Sequence, residues 1–242
     1  MKKTVIIIPA RYGSSRLEGK PLLEVNNKPI IQWVYEKAKE VYGVDEVIVA
    51  TDDERIFNAV EKFGGKVEMT STEHKCGSDR IKEVVDRHPE FEYIINLQGD
   101  EPMIKKENIE AVIDGVKNHH ADISTLIRPI EDKNEVDNPN LVKCVIDNNG
   151  FALYFSRSKI PFERKENPIP FFGHIGIYGY RRDALVKMTT SKQTSLEIAE
   201  SLEQLRALQM GMKIKTAIVK EKPVGIDTIE DYEEFKRLVS NK

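Results

Sequence analysis

Hydrophobic and polar positions follow two rhythms along this chain. An apolar, β-branched run, Val5-Ile6-Ile7-Ile8, leads straight into a charged segment from Pro9 to Leu22. A run that short and that rich in β-branched residues predicts a buried strand. Across 29–42 the apolar residues fall instead at helical spacing (Ile30, Ile31, Val34, Ala38, Val41), with Pro29 near the start and Gly43 as the stop. The pattern then predicts a strand at 46–51, a helix at 54–63, a short strand at 66–69, a helix at 78–87 and a core strand at 93–97. This succession predicts an α/β fold with a largely parallel sheet flanked by helices. Ligands of such sheets collect at the carboxyl ends of the strands. That rule gathers the 9–21 segment, Thr51-Asp52 and Gln98-Gly99-Asp100 at one rim.

The rhythm changes near residue 120. Segments 123–128, 142–146, 151–155 and 174–180 read as strands with little helix between them, and Asp147-Asn148-Asn149-Gly150 signals a hairpin. One long helix is predicted over 195–210, a last strand over 214–219 and a final helix over 227–239. With no repeat, low-complexity tract or linker, 1–242 reads as a single domain whose β-rich part, about 120–190, elaborates its substrate side.

The segment after the first strand carries the clearest chemistry. Arg11, Arg16 and Lys20 surround two glycines and two serines, a combination that cradles polyphosphate. The alternative is a solvated loop. A P-loop is excluded, because five residues separate Gly13 from Gly19 and Pro21 stands where the magnesium-binding hydroxyl belongs. The dinucleotide G-x-G-x-x-G spacing is absent too. Magnesium ligands must therefore come from elsewhere in the chain.

Composition narrows the setting. With 242 residues, a net charge of -3 and 32% charged residues, the chain is long enough for a full core and carries no basic field for nucleic acid. The start, Met1-Lys2-Lys3 before a short strand, predicts neither signal peptide nor membrane span. Cys76 and Cys144 lack metal spacing and read as free thiols of a reducing cytoplasm.

Other candidates have plainer alternatives. Asp100, after a buried strand, can hold Mg2+ against phosphate oxygens, or can belong to a turn. Asp227 reads on spacing as a helix cap; only its pairing with Asp100 suggests a metal ligand. The polar run 70–80, with Ser71, His74, Gly77, Ser78 and Arg80, enters a helix and can hold a ribose or base, or be a capped loop. His74 has no visible acid–base partner. Glu200, Glu203 and Gln204 share a face of the predicted long helix, usually the solvated one. His174 and Tyr178, four apart on a strand, face one way, as a pocket wall or a core pair.

The run Ile8-Pro9-Ala10-Arg11, Ser15-Arg16-Leu17 and Gly19-Lys20-Pro21-Leu22 resembles the signature of the CMP-sugar-acid synthetases. Further matches are Ala50-Thr51-Asp52, the 70–80 segment, 96–102, 174–178, 202–206 and Gly225-Ile226-Asp227-Thr228. Together they resemble the CMP-Kdo synthetases (3-deoxy-manno-octulosonate cytidylyltransferases) across nearly the whole chain. Departures are Glu18 for proline, Cys76 for serine, Ser78 for threonine, Gly173 for a basic residue and Ile229 for proline.

The resemblance implies a nucleotidyltransferase sheet and a homodimer formed through the β-rich part. It implies that CTP and Kdo give CMP-Kdo and pyrophosphate for lipopolysaccharide synthesis, with two Mg2+ ions on Asp100 and Asp227. Lys20, Asp100 and Asp227 are then the catalytic set. Ala10, Arg11, Arg16, Lys20, Thr51, Asp52, Ser71, His74, Gly77, Ser78, Arg80 and Gln98 become substrate contacts, with Arg157, His174, Tyr178, Glu203 and Gln204 for the sugar. Two other readings stay open: the same chemistry on sialic acid or an 8-amino Kdo relative, and a nucleotide-binding regulatory module.

Overall fold

The computed structural model describes residues 2–13, 17–165, 170–220 and 225–240. Two compact units emerge, Met1–Glu110 with Pro223–Lys242, and Ala111–Lys222.

In the first unit β1 (Lys3–Ala10) lies between two parallel neighbours. Its Val5, Ile6, Ile7 and Ile8 are fully buried, as a continuous apolar run covered on both faces must be. A small hairpin, β2 (Glu24–Val25) and β3 (Lys28–Pro29), leads into α1 (Ile30–Lys39). β4 (Glu46–Thr51) pairs with β1, so that Ala10 stands beside Thr51. After α2 (Glu54–Lys62), β5 (Val67–Met69) adds to β4. α3 (Gly77–Arg87) and β6 (Phe91–Asn96) follow, with β6 on the other side of β1. The β1–β4, β1–β6 and β4–β5 pairs are parallel, so the ends of β1, β4 and β6 lie at one rim. α4 (Lys106–Asn118) is a helix beyond those the apolar spacing predicts.

The second unit combines parallel and antiparallel strand pairs. β7 (Ile123–Pro129) is followed by the one-turn α5 (Lys133–Val136) and then β8 (Lys143–Ile146). The 147–150 hairpin joins β8 to the antiparallel β9 (Ala152–Ser156), with Gly150 at φ 75° supplying the left-handed turn. β10 (Phe172–Arg181) runs antiparallel to β7, and α6 (Arg182–Thr189) continues from it.

The predicted helix over 195–210 is instead two, α7 (Ser195–Glu200) and α8 (Gln204–Gln209). Ser201 adopts the left-handed conformation (φ 52°, ψ 49°) and ends the first. Tertiary packing accounts for the break. It buries Leu202 and brings Arg206 onto the carboxylate of Glu197 through Nε at 2.8 Å and Nη2 at 2.5 Å. Burial raises the Glu197 pKa, but the paired guanidinium outweighs it and holds the carboxyl below its usual range. With the helix broken, Glu200, Glu203 and Gln204 do not share a helical face. β11 (Ile214–Ile218) pairs in parallel with β7, and α9 (Ile229–Ser240), which packs in the first unit, ends the described chain. Among the described residues no helix is long and apolar enough to cross a membrane.

Candidate functional site

The 9–22 segment leaves β1 at the rim and returns at Gly19, whose N–H donates to the Tyr12 carbonyl at 3.0 Å. Gly19 sits at φ 66° and begins a 3-10 turn, Lys20–Leu22, with Pro21 buried beneath it. The turn presents Lys20 between two carboxylates: its Nζ lies 2.7 Å from Asp100 Oδ2 and 3.3 Å from Asp227 Oδ1. These residues are separated by 80 and 207 positions in sequence. Arg16 lies outside the described residues, and Arg11 is exposed.

Local chemistry explains the convergence. The Ile226 N–H donates to the Asp100 carbonyl at 2.8 Å, while the Ile226 side chain is buried with Val25, Ile30 and Phe235. Asp227 is not the helix cap. Thr228 Oγ1 accepts from Asp231 N at 3.2 Å, and the Asp231 carboxylate takes the Thr228 and Asp227 N–H groups at 2.8 and 2.9 Å. The capping duty falls on Thr228, which leaves the Asp227 carboxylate facing Lys20.

Beside this cluster a cavity of about 140 Å³ is lined by Pro9, Ala10, Arg11, His74, Cys76, Gly77, Arg80 and Gln98. Gln98 is steadied by Asn96 at 3.3 Å. Arg80 is buried; its Nη2 meets Asp52 Oδ2 at 2.6 Å and its Nη1 donates to Thr70 Oγ1. Thr70 in turn donates to the Thr51 carbonyl. Thr51, half-buried Asp52 and Arg80 thus form one network that fixes Arg80 in the cavity wall, while Ser78 is buried and Ser71 exposed. His74, for which the sequence showed no partner, lies against Glu83 on α3 at 2.5 Å. Burial raises the Glu83 pKa, but the Ser71 N–H, His74 and Arg87 outweigh it and keep the group below its usual range.

The second unit holds the remaining candidates. His174 and Tyr178 are in contact, with ring centroids 5.4 Å apart. Between Ile175 and Tyr178 the register with β7 slips by two residues, and an even slip preserves the shared face. Thr125 Oγ1 lies 2.9 Å from His174 Nε2. Burial pulls the His174 pKa down to about 4. The Tyr178 hydroxyl is pushed well up by burial first, then by Tyr180 and Glu203. The stability contribution of His174 has a definite sign. Its folded pKa lies below the unfolded value of 6.5, so the unfolded chain binds the extra proton between pH 6.5 and about 4. Stability is therefore whole above that window and falls as pH drops through it. A His174→Gln variant should show a flatter melting-temperature profile there; parallel profiles would show that His174 does not contribute.

Arg157 is engaged with main-chain carbonyls: Nε with Glu200 at 2.7 Å, Nη1 with Pro139 at 3.0 Å and Nη2 with Ser201 at 3.4 Å. The Glu200 carboxylate holds Ser156 Oγ and Arg157 N at 2.6 and 2.9 Å. A fully buried lysine absent from the sequence reading, Lys143, donates to the Asn138 and Arg157 carbonyls. Burial lowers its pKa against the pull of Asp137 and Glu200. Gln204 is buried at the start of α8. Beside His174, Leu141 and Ile130 fill the space a side chain at Gly173 would take: a Cβ there would lie 3.0 Å from Leu141 Cδ1.

Two carboxylates converging on one ammonium form a hard-oxygen donor pair of the kind that suits Mg2+, which takes one or two carboxylates and completes its shell with phosphates and water. Among the described residues no cluster of three or more acidic, His or Cys side chains offers a complete protein-built metal site.

The cytidylyltransferase family model matches residues 5–214. A 3-deoxy-manno-octulosonate cytidylyltransferase of Thermodesulfovibrio yellowstonii is 51% identical over 243 aligned positions, covering 95% of both chains. Its Escherichia coli counterpart is 46% identical and covers 100% of this chain and 98% of its own. A solved CMP:2-keto-3-deoxy-manno-octonic acid synthetase complexed with CTP superposes with a TM-score of 0.95 at 45% identity, covering 99% of each chain. A 4-diphosphocytidyl-2C-methyl-D-erythritol synthase from Anaerococcus prevotii, 16% identical with a TM-score of 0.66, shares the fold.

Proposed function

The chain belongs to the cytidylyltransferases, and within them to the 3-deoxy-manno-octulosonate cytidylyltransferases, and from that membership we propose that it joins CTP to Kdo. The sugar's anomeric 2-hydroxyl attacks the α-phosphorus in line and gives up its proton to water, the α–β anhydride bond breaks, and pyrophosphate leaves with the released charge. The observation that carries the reading is Lys20 held between Asp100 and Asp227 beside a polar cavity.

Such a reaction needs positioning and charge neutralisation rather than an enzyme nucleophile. Lys20 binds the phosphates as a point charge, and Arg11 adds a second cation at the cavity wall. Asp100 and Asp227 would hold two Mg2+ ions, and ions bound there would lower the pKa of the sugar hydroxyl and screen the triphosphate. Ala10, Gly77 and Gln98 are assigned to the base and ribose, with Arg80 and Asp52 behind them. We assign His174, Tyr178, Glu203 and Gln204 to the sugar. Arg157, occupied by three carbonyls, stays a candidate for the sugar carboxylate only if it exchanges one of them.

Nucleotide choice gives the first test. Pyrophosphate release should be strongly selective for CTP over ATP and GTP, and equal turnover with all three would overturn the reading. Glu203→Ala should raise the Kdo concentration needed for half-maximal rate several-fold and leave CTP affinity unchanged. A variant losing both equally would point to damage beyond the sugar contact.

We also place the enzyme in the cytoplasm, supplying lipopolysaccharide synthesis. Cys76 and Cys144, thiols not joined in a disulfide, suit a reducing compartment. A homodimer through the second unit is supported by the exposed apolar side chains of Leu153, Ile198 and Ile218.

A further inference from the structure

The cluster around Lys20 rests on a stack that the nucleotide chemistry does not use. The Tyr12 carbonyl accepts from Gly19 N at 3.0 Å, so Tyr12 marks the place where the segment leaving β1 meets the turn that carries Lys20. The Tyr12 ring fills the space over Gly19, where a Cβ would lie 3.0 Å from Tyr12 Cζ. The guanidinium of Arg55 lies over the same ring, 3.2 Å from its centroid. Arg55 is aimed by Asp53, which accepts from Nε at 3.0 Å and from Nη2 at 2.6 Å. Asp53 is also the N-cap of α2, accepting the Arg55 N–H at 2.9 Å.

Each link has a physical reason. A planar guanidinium can stack on an aromatic face while it makes a bidentate pair with a carboxylate, which an ammonium cannot do. Gly19, at φ 66°, takes the left-handed turn without strain and leaves room for the ring. The chain of contacts therefore runs from a rigid helix start, through Asp53 and Arg55, to Tyr12 and the residue before Lys20. We propose that Tyr12 and Arg55 are positioning residues that fix the turn from which Lys20 is presented to Asp100 and Asp227. They act through Lys20 and touch no substrate.

This rests on the cytidylyltransferase reading, so the test has two arms. In the first, Lys20 is acetylated with N-hydroxysuccinimidyl acetate and its labelling rate read by peptide mass spectrometry, without any substrate. Tyr12→Leu and Arg55→Met should each label Lys20 several-fold faster than wild type, while Tyr12→Phe, which keeps the ring, recovers most of the protection. In the second arm, with CTP and Kdo, Tyr12→Leu should lower kcat by about tenfold with the KM for Kdo unchanged, since small misplacements near reacting groups are costly. The double variant Tyr12→Leu/Arg55→Met should be no slower than Tyr12→Leu alone, because both act through one contact. Unchanged Lys20 labelling in both single variants, or multiplied kcat losses in the double one, overturns the inference. Loss of protection with no cytidylyl transfer in wild type would keep the stack and overturn the activity.

Discussion

Lys20→Ala should lower turnover by about 10²–10³, some 2.7–4 kcal/mol of transition-state stabilisation, the loss seen when one preorganised donor to developing charge is removed. The ammonium is preorganised: it is largely buried and held by two carboxylates from distant parts of the chain. In the proposed reaction charge grows on the departing pyrophosphate as the α–β bond breaks, which would make the interaction stronger in the transition state than in the ground state. The loss should therefore fall on kcat, with KM for CTP changed only a few-fold. Removing Lys20 also leaves Asp100 and Asp227 without their shared cation, so Lys20→Arg is the control that keeps it. If Lys20→Ala keeps turnover within a factor of a few, Lys20 has no catalytic role.

The second large effect separates the two carboxylates. Asp227→Asn should retain CTP binding and lose about 10² or more in turnover, whereas Asp100→Asn should damage both. Their placement motivates the difference. Asp100 follows the strand end that carries Gln98, which lines the nucleotide cavity, and its carbonyl anchors Ile226. Asp227 comes 127 positions later in the sequence and meets Lys20 through its side chain. CTP titration followed by single-turnover measurement distinguishes the outcomes, and near-wild-type turnover in Asp227→Asn would sink the assignment.

The alternating rhythm was legible because β1 is buried on both faces and must be apolar throughout, while α1 to α3 each bury one stripe. The break at Ser201 was not legible. Residues on either side keep helical spacing, and the left-handed turn is fixed by distant packing and by the Glu197–Arg206 pair. Nor is the 106–118 helix among the elements that the pattern predicts. At the site, the local reading of Asp227 as a cap failed because Thr228 offers an equally good hydroxyl one residue later. Spacing could not show Glu83 beside His74, nor that the Arg157 guanidinium is shared among three carbonyls, since each depends on contacts between separate segments. The stack of Arg55 on Tyr12 carried no sequence signal at all, being a meeting of two ordinary surface-type residues.

The most direct measurement is the stoichiometry of the reaction itself. The protein is incubated with CTP, Kdo and Mg2+, pyrophosphate is counted, and the nucleotide product is identified by mass. The account predicts one pyrophosphate for each CMP-Kdo formed, with no release when Kdo is left out and little when sialic acid replaces it. CTP binding without Kdo-dependent pyrophosphate release would contradict it and leave a nucleotide-binding module in its place.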